Sequence, residues 1–331
     1  MNDLNSHIPS YVTRVTDTLQ DAGFEAYLVG GCVRDLILGR EPKDWDVTTN
    51  AVPEQIIGLF EKTFYENTFG TVGVVVNTGV THETEVIEVT PYRMESEYSD
   101  KRHPNEVIFS KKLEDDLKRR DFTINALAYN PKEGIIIDLY KGQGDIKDKI
   151  VRAIGNPEDR FSEDALRLLR ATRFATELGF IIEKETQDAV KRLSSNLEYV
   201  SRERIRDEFV KIILSENAMS GIVLTHELNL LRFIIPELEK GIGVEQNGSH
   251  IYTVWEHNLR ALDNAARHNW PLHIRLGSLM HDISKPETRR WSNEKKNWTF
   301  YGHDVVGGRV SKKIMERLKF PVKLCLTVSS L

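Results

Sequence analysis

The feature that most constrains the fold is a glycine pair, Gly30-Gly31, that joins a short apolar segment to a helix-like one. Residues 26–29 read as a strand, and residues 33–38 have the spacing of a helix. A strand that enters a helix through two glycines leaves backbone N–H groups uncovered by side chains, and the helix N-terminus adds partial positive charge. Such a turn can hold a phosphate, with Arg34 one turn into the helix, although the same turn also occurs where nothing binds.

Two aspartates follow in the segment KDWDVTT at 43–49. Side chains at i and i+2 of a strand lie on one face, so Asp44 and Asp46 would present their carboxylates together while Trp45 packs on the other face. Adjacent carboxylates suit Mg²⁺, which prefers oxygen ligands and keeps water and phosphate in the rest of its shell. The simpler alternative is a solvated strand edge.

A third carboxylate, Glu88, alternates with Ile87 and Val89 on the predicted strand VIEVTPYR. Three carboxylates around two metal ions about 4 Å apart are the arrangement for in-line nucleotidyl transfer. Glu85 would lie on the opposite face of the same strand. An exposed strand glutamate without a ligand is the alternative interpretation of Glu88.

The net charge is −5, from 45 Lys/Arg and 50 Asp/Glu, which argues against a basic nucleic-acid coat over the whole surface. The charges are unevenly distributed: residues 267–331 contain 13 Lys/Arg and 5 Asp/Glu, a net of +8, and residues 1–266 have a net of −13. The positive C-terminal part is therefore a candidate nucleic-acid surface, with ordinary solvated surface as the alternative.

The chain changes character along its length. Its first 90 residues alternate strand-like and helix-like segments in mixed order, residues 92–120 read largely as a mobile loop, and the pattern after residue 159 is all helical. The polar start predicts no signal peptide, and the longest apolar runs are too short to span a membrane. We therefore expect a cytoplasmic protein.

Four motifs occur in a fixed order: GGCVRDLILG with KDWDVTT, RRDFTINALAYNP at 119–131, IIDLYKGQGDIKDKIVRAIGNP at 136–157 and RFSEDALRLLRATRF at 160–174. This series resembles the class II tRNA nucleotidyltransferases (CCA-adding enzymes) and the bacterial poly(A) polymerases. The resemblance implies an α+β fold, with a polymerase β-like nucleotidyltransferase head (a mixed sheet with helices), an all-helical neck and body, and a partial helical HD domain. The implied domains are residues 1–150, 151–245 and 246–331.

The resemblance also assigns roles in the head. The nucleotide-binding residues would be Gly30, Gly31, Arg34 and Arg120. The catalytic residues would be Asp44, Asp46 and Glu88. Of these, Asp44 and Asp46 would hold Mg²⁺, which bridges the phosphates and activates the RNA 3′-hydroxyl.

The helix from Glu163 would select the nucleotide. Its candidate residues share an i+3 spacing that forms a stripe along one helix side; they are Asp164, Arg167, Arg170 and Arg173. An aspartate accepts from an exocyclic amino group and an arginine donates to the acceptor beside it, so Asp164 and Arg167 together would read C or A and reject U and G. Arg170 and Arg173 would lie nearer the phosphates or the helix scaffold. The alternative is a salt-bridge ladder on a solvent face.

The resemblance implies an RNA nucleotidyltransferase that adds CMP and AMP from CTP and ATP to tRNA 3′ ends and releases pyrophosphate. The long loop at 92–112 is similar to that of relatives that add the final A. An A-adding enzyme and a poly(A) polymerase of the same family stay open, and so does an HD-type phosphohydrolase with an RNA-binding head. The tRNA would be recognised by shape, through phosphate and 2′-OH contacts. Neither a membrane nor a protein partner is indicated.

The segments at 250–259 and 276–290 resemble an HD metal-dependent phosphohydrolase domain. The possible metal ligands are His257, His281 and Asp282. His303 is a further candidate, and mixed imidazole and carboxylate ligands suit a second divalent metal. We expect the domain to be partial or degenerate, because the family's later aspartate has no match before Leu331, although Asp304 is present. Packing histidines without a metal are the alternative.

Overall fold

The computed structural model describes residues 4–65, 70–79, 83–95, 107–246 and 251–331. The chain divides into two compact units, Met1–Arg160 and Phe161–Leu331. Among the described residues, no helix is both long and apolar enough to cross a membrane. The first predicted domain boundary, at residue 150, lies near the boundary between the units, and the second, at residue 245, stays a prediction.

The first unit combines helices with a mixed sheet, as predicted. Its helices are α1 (Ser10–Asp21), α2 (Gly31–Ile37), α3 (Pro53–Leu59), α4 (Leu113–Lys118) and α5 (Gly142–Asp148), and α6 (Pro157–Glu163) lies at the boundary. Its strands are β1 (Ala26–Val29), β2 (Asp46–Thr49), β3 (Thr63–Tyr65), β4 (Val72–Asn77), β5 (Thr84–Pro91), β6 (Arg93–Glu95), β7 (Val107–Phe109), β8 (Leu127–Asn130), β9 (Ile135–Asp138) and β10 (Ile150–Val151). Short 3₁₀ helices cover Leu4–His7 and Thr123–Asn125.

Seven of these strands form one sheet in the order β3-β4-β5-β2-β1-β8-β9. β2 and β5 are parallel, and the other neighbouring strands are antiparallel. Helix α1 buries Val12, Val15 and Leu19, which recur at helical spacing. The central strand β1 is buried at Leu28 and Val29 and ends at the glycine pair, so the core of the sheet leads directly to the predicted phosphate turn.

The expectation of a loop over residues 92–120 is wrong for the described part of that segment. β6 pairs with β7, with Arg93 opposite Phe109, and α4 buries Leu113 and Leu117. Strands that are distant in sequence leave no local period, and a helix of 6 residues is too short to show one. The centre of the predicted long loop, residues 96–106, lies outside the described residues.

The segment GQGDIKD reads as a turn in the sequence but forms helix α5. Asp138 caps this helix, because its carboxylate accepts hydrogen bonds from the amides of Gly142 and Gln143 at 2.8 and 3.0 Å. A Cβ at Gly142 would collide with the carbonyl oxygen of Thr123. The glycine therefore serves close packing against the chain and not a turn.

The second unit is mostly helical. Its helices are α7 (Leu166–Leu178), α8 (Lys184–Leu193), α9 (Arg202–Leu214), α10 (Ala218–Glu227), α11 (Pro236–Glu239), α12 (Val254–Arg267), α13 (Leu272–Met280), α14 (Lys285–Thr288), α15 (His303–Arg317) and α16 (Val322–Ser329). Its strands are β11 (Ile181–Ile182), β12 (Arg290–Ser292) and β13 (Asn297–Thr299), and 3₁₀ helices cover Ser194–Tyr199 and Leu231–Phe233. β12 and β13 form an antiparallel hairpin, so the all-helical expectation is wrong there, because strands of 3 residues are too short to alternate visibly.

One basic residue of the positive C-terminal part belongs to the core. Arg275 is 2% exposed, and its guanidinium donates to the carbonyls of Trp270, Ile213 and Ser215 at 2.8, 3.0 and 2.9 Å. These bonds join α13 to the end of α9 and satisfy a charge that burial would otherwise make costly. The charge count over residues 267–331 therefore overstates the cationic surface.

Candidate functional site

The backbone at Gly30 brings three parts of the first unit together. Gly30 has a φ of +79°, a backbone conformation that residues other than glycine rarely adopt. Its N–H donates to the carbonyl of Leu127 at 3.1 Å. A Cβ there would lie 2.9 Å from Nη1 of Arg120 and 3.9 Å from Oδ2 of Asp46. The predicted phosphate turn, the arginine predicted to contact the nucleotide, and one of the predicted metal ligands therefore share one location.

Two of the predicted catalytic carboxylates lie on adjacent strands. Asp46 is the first residue of β2, and its partner in the parallel ladder is Glu88 of β5. Ladder partners point to the same face of a sheet. Val47 and Val89, the next pair along, are fully buried on the opposite face, and this fixes the register.

Asp44 is placed differently from the prediction. β2 begins at Asp46, so Asp44 lies in a bend before the strand and is exposed. The strand cannot extend back to Asp44 because its neighbour β1 turns into α2 at Gly30, and the last ladder pair between them is Leu28 with Val47. Within the described residues, the ligand atoms of the three predicted carboxylates do not gather within 4.8 Å of one another.

Arg34 is held by residues of the second motif. It is 8% exposed, its Nη1 donates to Oδ1 of Asn125 at 2.7 Å, and its Nε donates to Asp35 at 2.9 Å. Asn125 in turn donates from Nδ2 to Oδ1 of Asp121 at 3.1 Å. Asp121 and Asn125 are absent from the sequence prediction. The available signal is that the motif places these two polar residues four apart, with Phe122 and Ile124 between them.

Arg120 is oriented by a buried carboxylate. Asp116 is fully buried and forms ion pairs with Arg119 at 2.6 Å and with Nη2 of Arg120 at 3.1 Å. Burial alone would raise the pKa of Asp116, but the two guanidinium groups outweigh burial and hold the pKa below its usual value. Nε of Arg120 is buried and has no hydrogen-bond partner in the described part of the chain. An arginine that is anchored at one end and lacks an acceptor at another fits a phosphate.

In the second unit, the predicted specificity helix begins later than expected. α6 ends at Glu163 and α7 begins at Leu166, so Asp164 lies in the break between them. Its Oδ1 accepts a hydrogen bond from the amide of Leu166 at 3.0 Å, which stabilises a new helix start. Its carboxylate also forms a two-point ion pair with Arg204 of α9, at 2.7 and 3.3 Å. No sequence pattern indicates Arg204, because it lies 40 residues away.

The three predicted arginines lie on α7 and have acidic neighbours. Arg167 is 8% exposed, and its Nη1 donates to Oε2 of Glu163 at 2.6 Å. Arg173 and Arg170 both face Glu208 of α9, at 2.6 and 3.9 Å respectively. These two arginines therefore tie α7 to α9, and any part they take in phosphate binding stays a prediction.

The three predicted metal ligands of the second unit meet in the structure. The ligand atoms of His257, His281 and Asp282 lie within 4.8 Å of one another, and the two imidazole rings are 4.9 Å apart. Asp282 is buried, and Nε2 of His303 lies 3.5 Å from its Oδ1. Imidazole nitrogens with one carboxylate are a donor set that suits divalent metals. We call these four residues the His/Asp cluster.

A cation of the protein already contacts this cluster. Nζ of Lys285 lies 2.6 Å from Oδ2 of Asp282 and donates to Oε1 of Gln246, also at 2.6 Å. Burial alone would raise the pKa of Asp282, but hydrogen bonds from His281 and Lys285 outweigh burial and lower it. Desolvation would lower the pKa of His281, and the neighbouring carboxylate outweighs this and raises it. A metal ion would have to share Asp282 with the Lys285 ammonium.

Two families match parts of this chain. Residues 26–152 match the family described as the poly A polymerase head domain. Residues 179–242 match the family described as the probable RNA and SrmB-binding site of polymerase A. The first match contains the glycine turn, the carboxylate pair and Arg120.

Similar proteins of known name include CCA-adding enzymes. That of Lactobacillus delbrueckii subsp. bulgaricus is 39% identical over 286 residues, which are 84% of this chain and 67% of the relative. That of Leuconostoc citreum is 42% identical over 233 residues, which are 68% of this chain and 55% of the relative. The chain thus spans between about half and two thirds of the curated relatives it matches.

A solved structure is similar over nearly the whole chain. The crystal structure of the Bacillus stearothermophilus CCA-adding enzyme in complex with CTP is 28% identical, has a TM-score of 0.62, and is matched over 96% of this chain and 80% of that chain. Sequence and fold agree. The chain belongs to the family of CCA-adding enzymes, which are RNA nucleotidyltransferases.

Proposed function

We propose that this chain adds CMP and AMP to the 3′ end of tRNA, using CTP and ATP and no template. The RNA 3′-hydroxyl oxygen attacks the α-phosphorus, a new O–P bond forms, the bond from the α-phosphorus to the bridging oxygen breaks, and pyrophosphate leaves. The observation that carries the proposal is the shared location of Gly30, Arg120 and Asp46, with Glu88 beside Asp46 in the sheet. The relative that holds CTP supports the choice of nucleotide.

The glycine turn and two arginines would bind the triphosphate. The N–H of Gly30 already donates to Leu127, so the turn would act through the unobstructed backbone of Gly31 at the start of α2. Arg120 offers a buried Nε without a partner among the described residues, and Asp116 holds the rest of the guanidinium in place. Arg34 is fixed by Asn125, so its guanidinium does not need to be ordered when the phosphates arrive.

The carboxylates would hold the metal. CCA-adding enzymes are nucleotidyltransferases that generally use divalent metals, and we assign Mg²⁺ to Asp44 and Asp46. Their oxygens are the hard ligands that Mg²⁺ prefers, and Glu88 adds a third on the same face as Asp46. When bound, Mg²⁺ neutralises phosphate charge and favours ionisation of the attacking hydroxyl.

Asp164 and Arg167 would read the base. Asp164 accepts a hydrogen bond from the amino group of C or A, and Arg167 donates to the neighbouring ring nitrogen or carbonyl. Neighbouring side chains hold both in position by hydrogen bonds: Arg204 holds Asp164, and Glu163 holds Arg167. U and G place a carbonyl where the amino group is needed, which leaves Asp164 facing another acceptor.

The direct test is nucleotide addition by the purified chain. Transcripts that end before CCA, after C and after CC are incubated with Mg²⁺ and with CTP and ATP, singly and together, and product lengths are read on a gel. We expect ordered growth by C, C and A that then stops. Addition of A only, or of a long A tail, would move the activity to the other enzymes of the family.

Two variants link this activity to the carboxylates. Asp44→Ala and Asp46→Ala should abolish addition while the chain stays folded, and Asp148→Ala is the matched control, because Asp148 is an exposed aspartate at the end of α5. Retained addition by either of the first two variants would refute the metal assignment.

The substrates are cytoplasmic molecules, so we place the activity in the cytoplasm. We assign residues 1–150 to the head, 151–245 to the neck and body, and 246–331 to the HD part.

The His/Asp cluster supports a second candidate function, metal-dependent phosphohydrolysis. The supporting observation is that His257, His281 and Asp282 place three ligand atoms within 4.8 Å. Calorimetric titration of the chain with Mn²⁺ should show binding that Asp282→Asn removes. Asp304→Asn is the control, since Asp304 is an exposed aspartate next to His303. Equal metal affinity of both variants would exclude this site. If only Asp282→Asn loses the metal, hydrolysis of bis(p-nitrophenyl) phosphate by the wild-type chain tests the reaction.

A further inference from the structure

The hairpin of β12 and β13 displays aromatic rings that the second unit does not cover. Trp291 and Trp298 are cross-strand partners with ring centroids 5.4 Å apart in an edge-to-face arrangement. Trp291 is 51% exposed and Tyr301, just after the hairpin, is 72% exposed. Large aromatic side chains at such exposure commonly belong to a binding surface.

The same segment is strongly cationic. Residues 289–301 contain four Lys/Arg and one glutamate, a net of +3. Arg289 stacks on the Trp298 ring at 4.0 Å, and Nζ of Lys295 donates to the hydroxyl of Tyr301 at 2.8 Å. Flat rings alternate with fixed positive charges, so the surface can offer stacking and phosphate contacts to the same ligand.

The base of the hairpin is anchored in the His/Asp cluster. Before the hairpin, Lys285 contacts Asp282 at 2.6 Å. After it, His303 faces the same carboxylate at 3.5 Å, and its carbonyl accepts a hydrogen bond from Ser284. A two-stranded ribbon alone is marginal in water. These contacts at both ends, together with the tryptophan pair, hold the rings in a defined place.

We propose that the hairpin is a stacking platform for a single-stranded RNA segment. Bases stack on exposed aromatic rings whatever their sequence, and cations between the rings follow the backbone. An apolar peptide or a lipid surface would require aliphatic neighbours, whereas the exposed residues of 289–301 are aromatic, charged or polar, with one glutamate among them. A second copy of the hairpin is disfavoured because both copies carry a net positive charge. The choice of RNA rests on the proposed activity on tRNA.

The test uses the full chain and a fluorescein-labelled oligocytidylate of roughly ten nucleotides, which is enough for one such site. Fluorescence anisotropy should show binding that weakens as salt rises. Trp291→Ala and Tyr301→Ala should each weaken it roughly 5- to 150-fold, the loss of one stacked base. Trp291→Phe keeps a ring and should restore most of the affinity.

The control is Trp270→Ala, because Trp270 is a partly exposed tryptophan on a different element, between α12 and α13. Wild-type affinity in both hairpin variants, or no binding of the oligonucleotide by the wild-type chain, would overturn the inference. The inference would also be overturned, in favour of self-association, if the wild-type chain elutes as a dimer in gel filtration and Trp291→Ala elutes as a monomer. Nucleotide addition measured on the same variants separates the two proposals: normal addition with unchanged oligonucleotide binding refutes the platform alone.

Discussion

Asp46 and Glu88 are direct partners in the parallel pairing of β2 with β5. The two strands are not consecutive in the chain, and β5 also pairs with β4 on its other side, where Gly73 faces Glu88. The ring of Phe64 covers this glycine, because a Cβ at Gly73 would collide with Cζ of Phe64. The pairing of β2 with β5 therefore determines the distance between the two carboxylate-bearing positions and places them on one face of the sheet.

The first prediction concerns Glu88 as the third catalytic carboxylate. Glu88→Gln removes one negative charge from the face that carries Asp46, and we expect kcat for nucleotide addition to fall roughly 100-fold, as for the loss of one preorganised charged group. The measurement is single-turnover addition of CMP at saturating CTP. Titration with Mg²⁺ should show that the variant needs a higher metal concentration.

Glu85→Gln is the matched control for this prediction. Glu85 is another exposed glutamate of β5, three positions earlier and therefore on the opposite face. It should add CMP at the wild-type rate. Equal rates for the two variants, whether both slow or both normal, would remove Glu88 from the site.

The second prediction assigns Asn125 a positioning role. Its side chain accepts from Arg34 and donates to Asp121, so Asn125→Ala frees the guanidinium of Arg34 to adopt other rotamers. We expect KM for both CTP and ATP to rise about tenfold with a smaller change in kcat, because the arginine must be ordered upon binding.

The control is Asn130→Ala, which removes a second buried asparagine of the same segment. Asn130 contacts Gln20 and the amide of Lys132 and does not reach Arg34 among its hydrogen-bond partners in the described chain. A general loss of packing would affect both variants alike. Unchanged nucleotide KM in Asn125→Ala, with Arg34→Ala impaired, would contradict the positioning role.

The third prediction concerns Arg204, which clamps Asp164. Without the two-point ion pair, the Asp164 carboxylate is no longer aimed. Arg204→Ala should therefore lower the ratio of kcat/KM for CTP to kcat/KM for UTP. The expected loss of discrimination is about 1–3 kcal/mol, as for one good base contact. Arg206→Ala is the comparison, since Arg206 is also on α9 and ion-pairs with Asp207 instead. Competition between labelled CTP and UTP on one transcript gives the ratio directly.

The fourth prediction separates Arg167 from Arg170. Arg167→Ala should reduce selection for C and A over U and G by a similar amount, about 1–3 kcal/mol. Arg170→Ala should leave the selection ratio unchanged, because Arg170 faces Glu208 at 3.9 Å and belongs to the contact between α7 and α9. The same competition assay is used. A shifted ratio in Arg170→Ala with none in Arg167→Ala would exchange their roles.

Local sequence patterns predicted the parts of the fold that depend on neighbouring residues. The strand Ala26–Val29 follows from a short apolar run, the turn after it from the glycine pair, and helix Gly31–Ile37 from helical spacing. Features made by distant residues were not accessible in this way. The β6–β7 pair, the Asp164–Arg204 ion pair and the start of β2 at Asp46 all depend on which chain segment lies alongside. The family motifs supplied the site residues, but not the side chains that hold them.

The fifth prediction follows from the buried ion pairs of Asp116. Because the neighbouring guanidinium groups hold the pKa of Asp116 in the folded chain below its usual 3.8, ionised Asp116 stabilises the folded state above that pH. This contribution is lost as pH falls through the folded-state pKa. Asp116→Asn should lower the free energy of unfolding of the first unit by about 3–5 kcal/mol near neutral pH, since it leaves two cations against a neutral buried group.

The pH dependence distinguishes this mechanism from a simple packing defect. The difference in stability between wild type and Asp116→Asn should shrink as pH falls below about 4, because Asp116 is then protonated first in the unfolded chain and, at lower pH, in the folded chain. Differential scanning calorimetry across this range measures it. Glu114→Gln, an exposed acidic residue on the same helix, should leave the stability at neutral pH nearly unchanged. A pH-independent difference for Asp116→Asn would show that the ion pairs with Arg119 and Arg120 do not stabilise the fold.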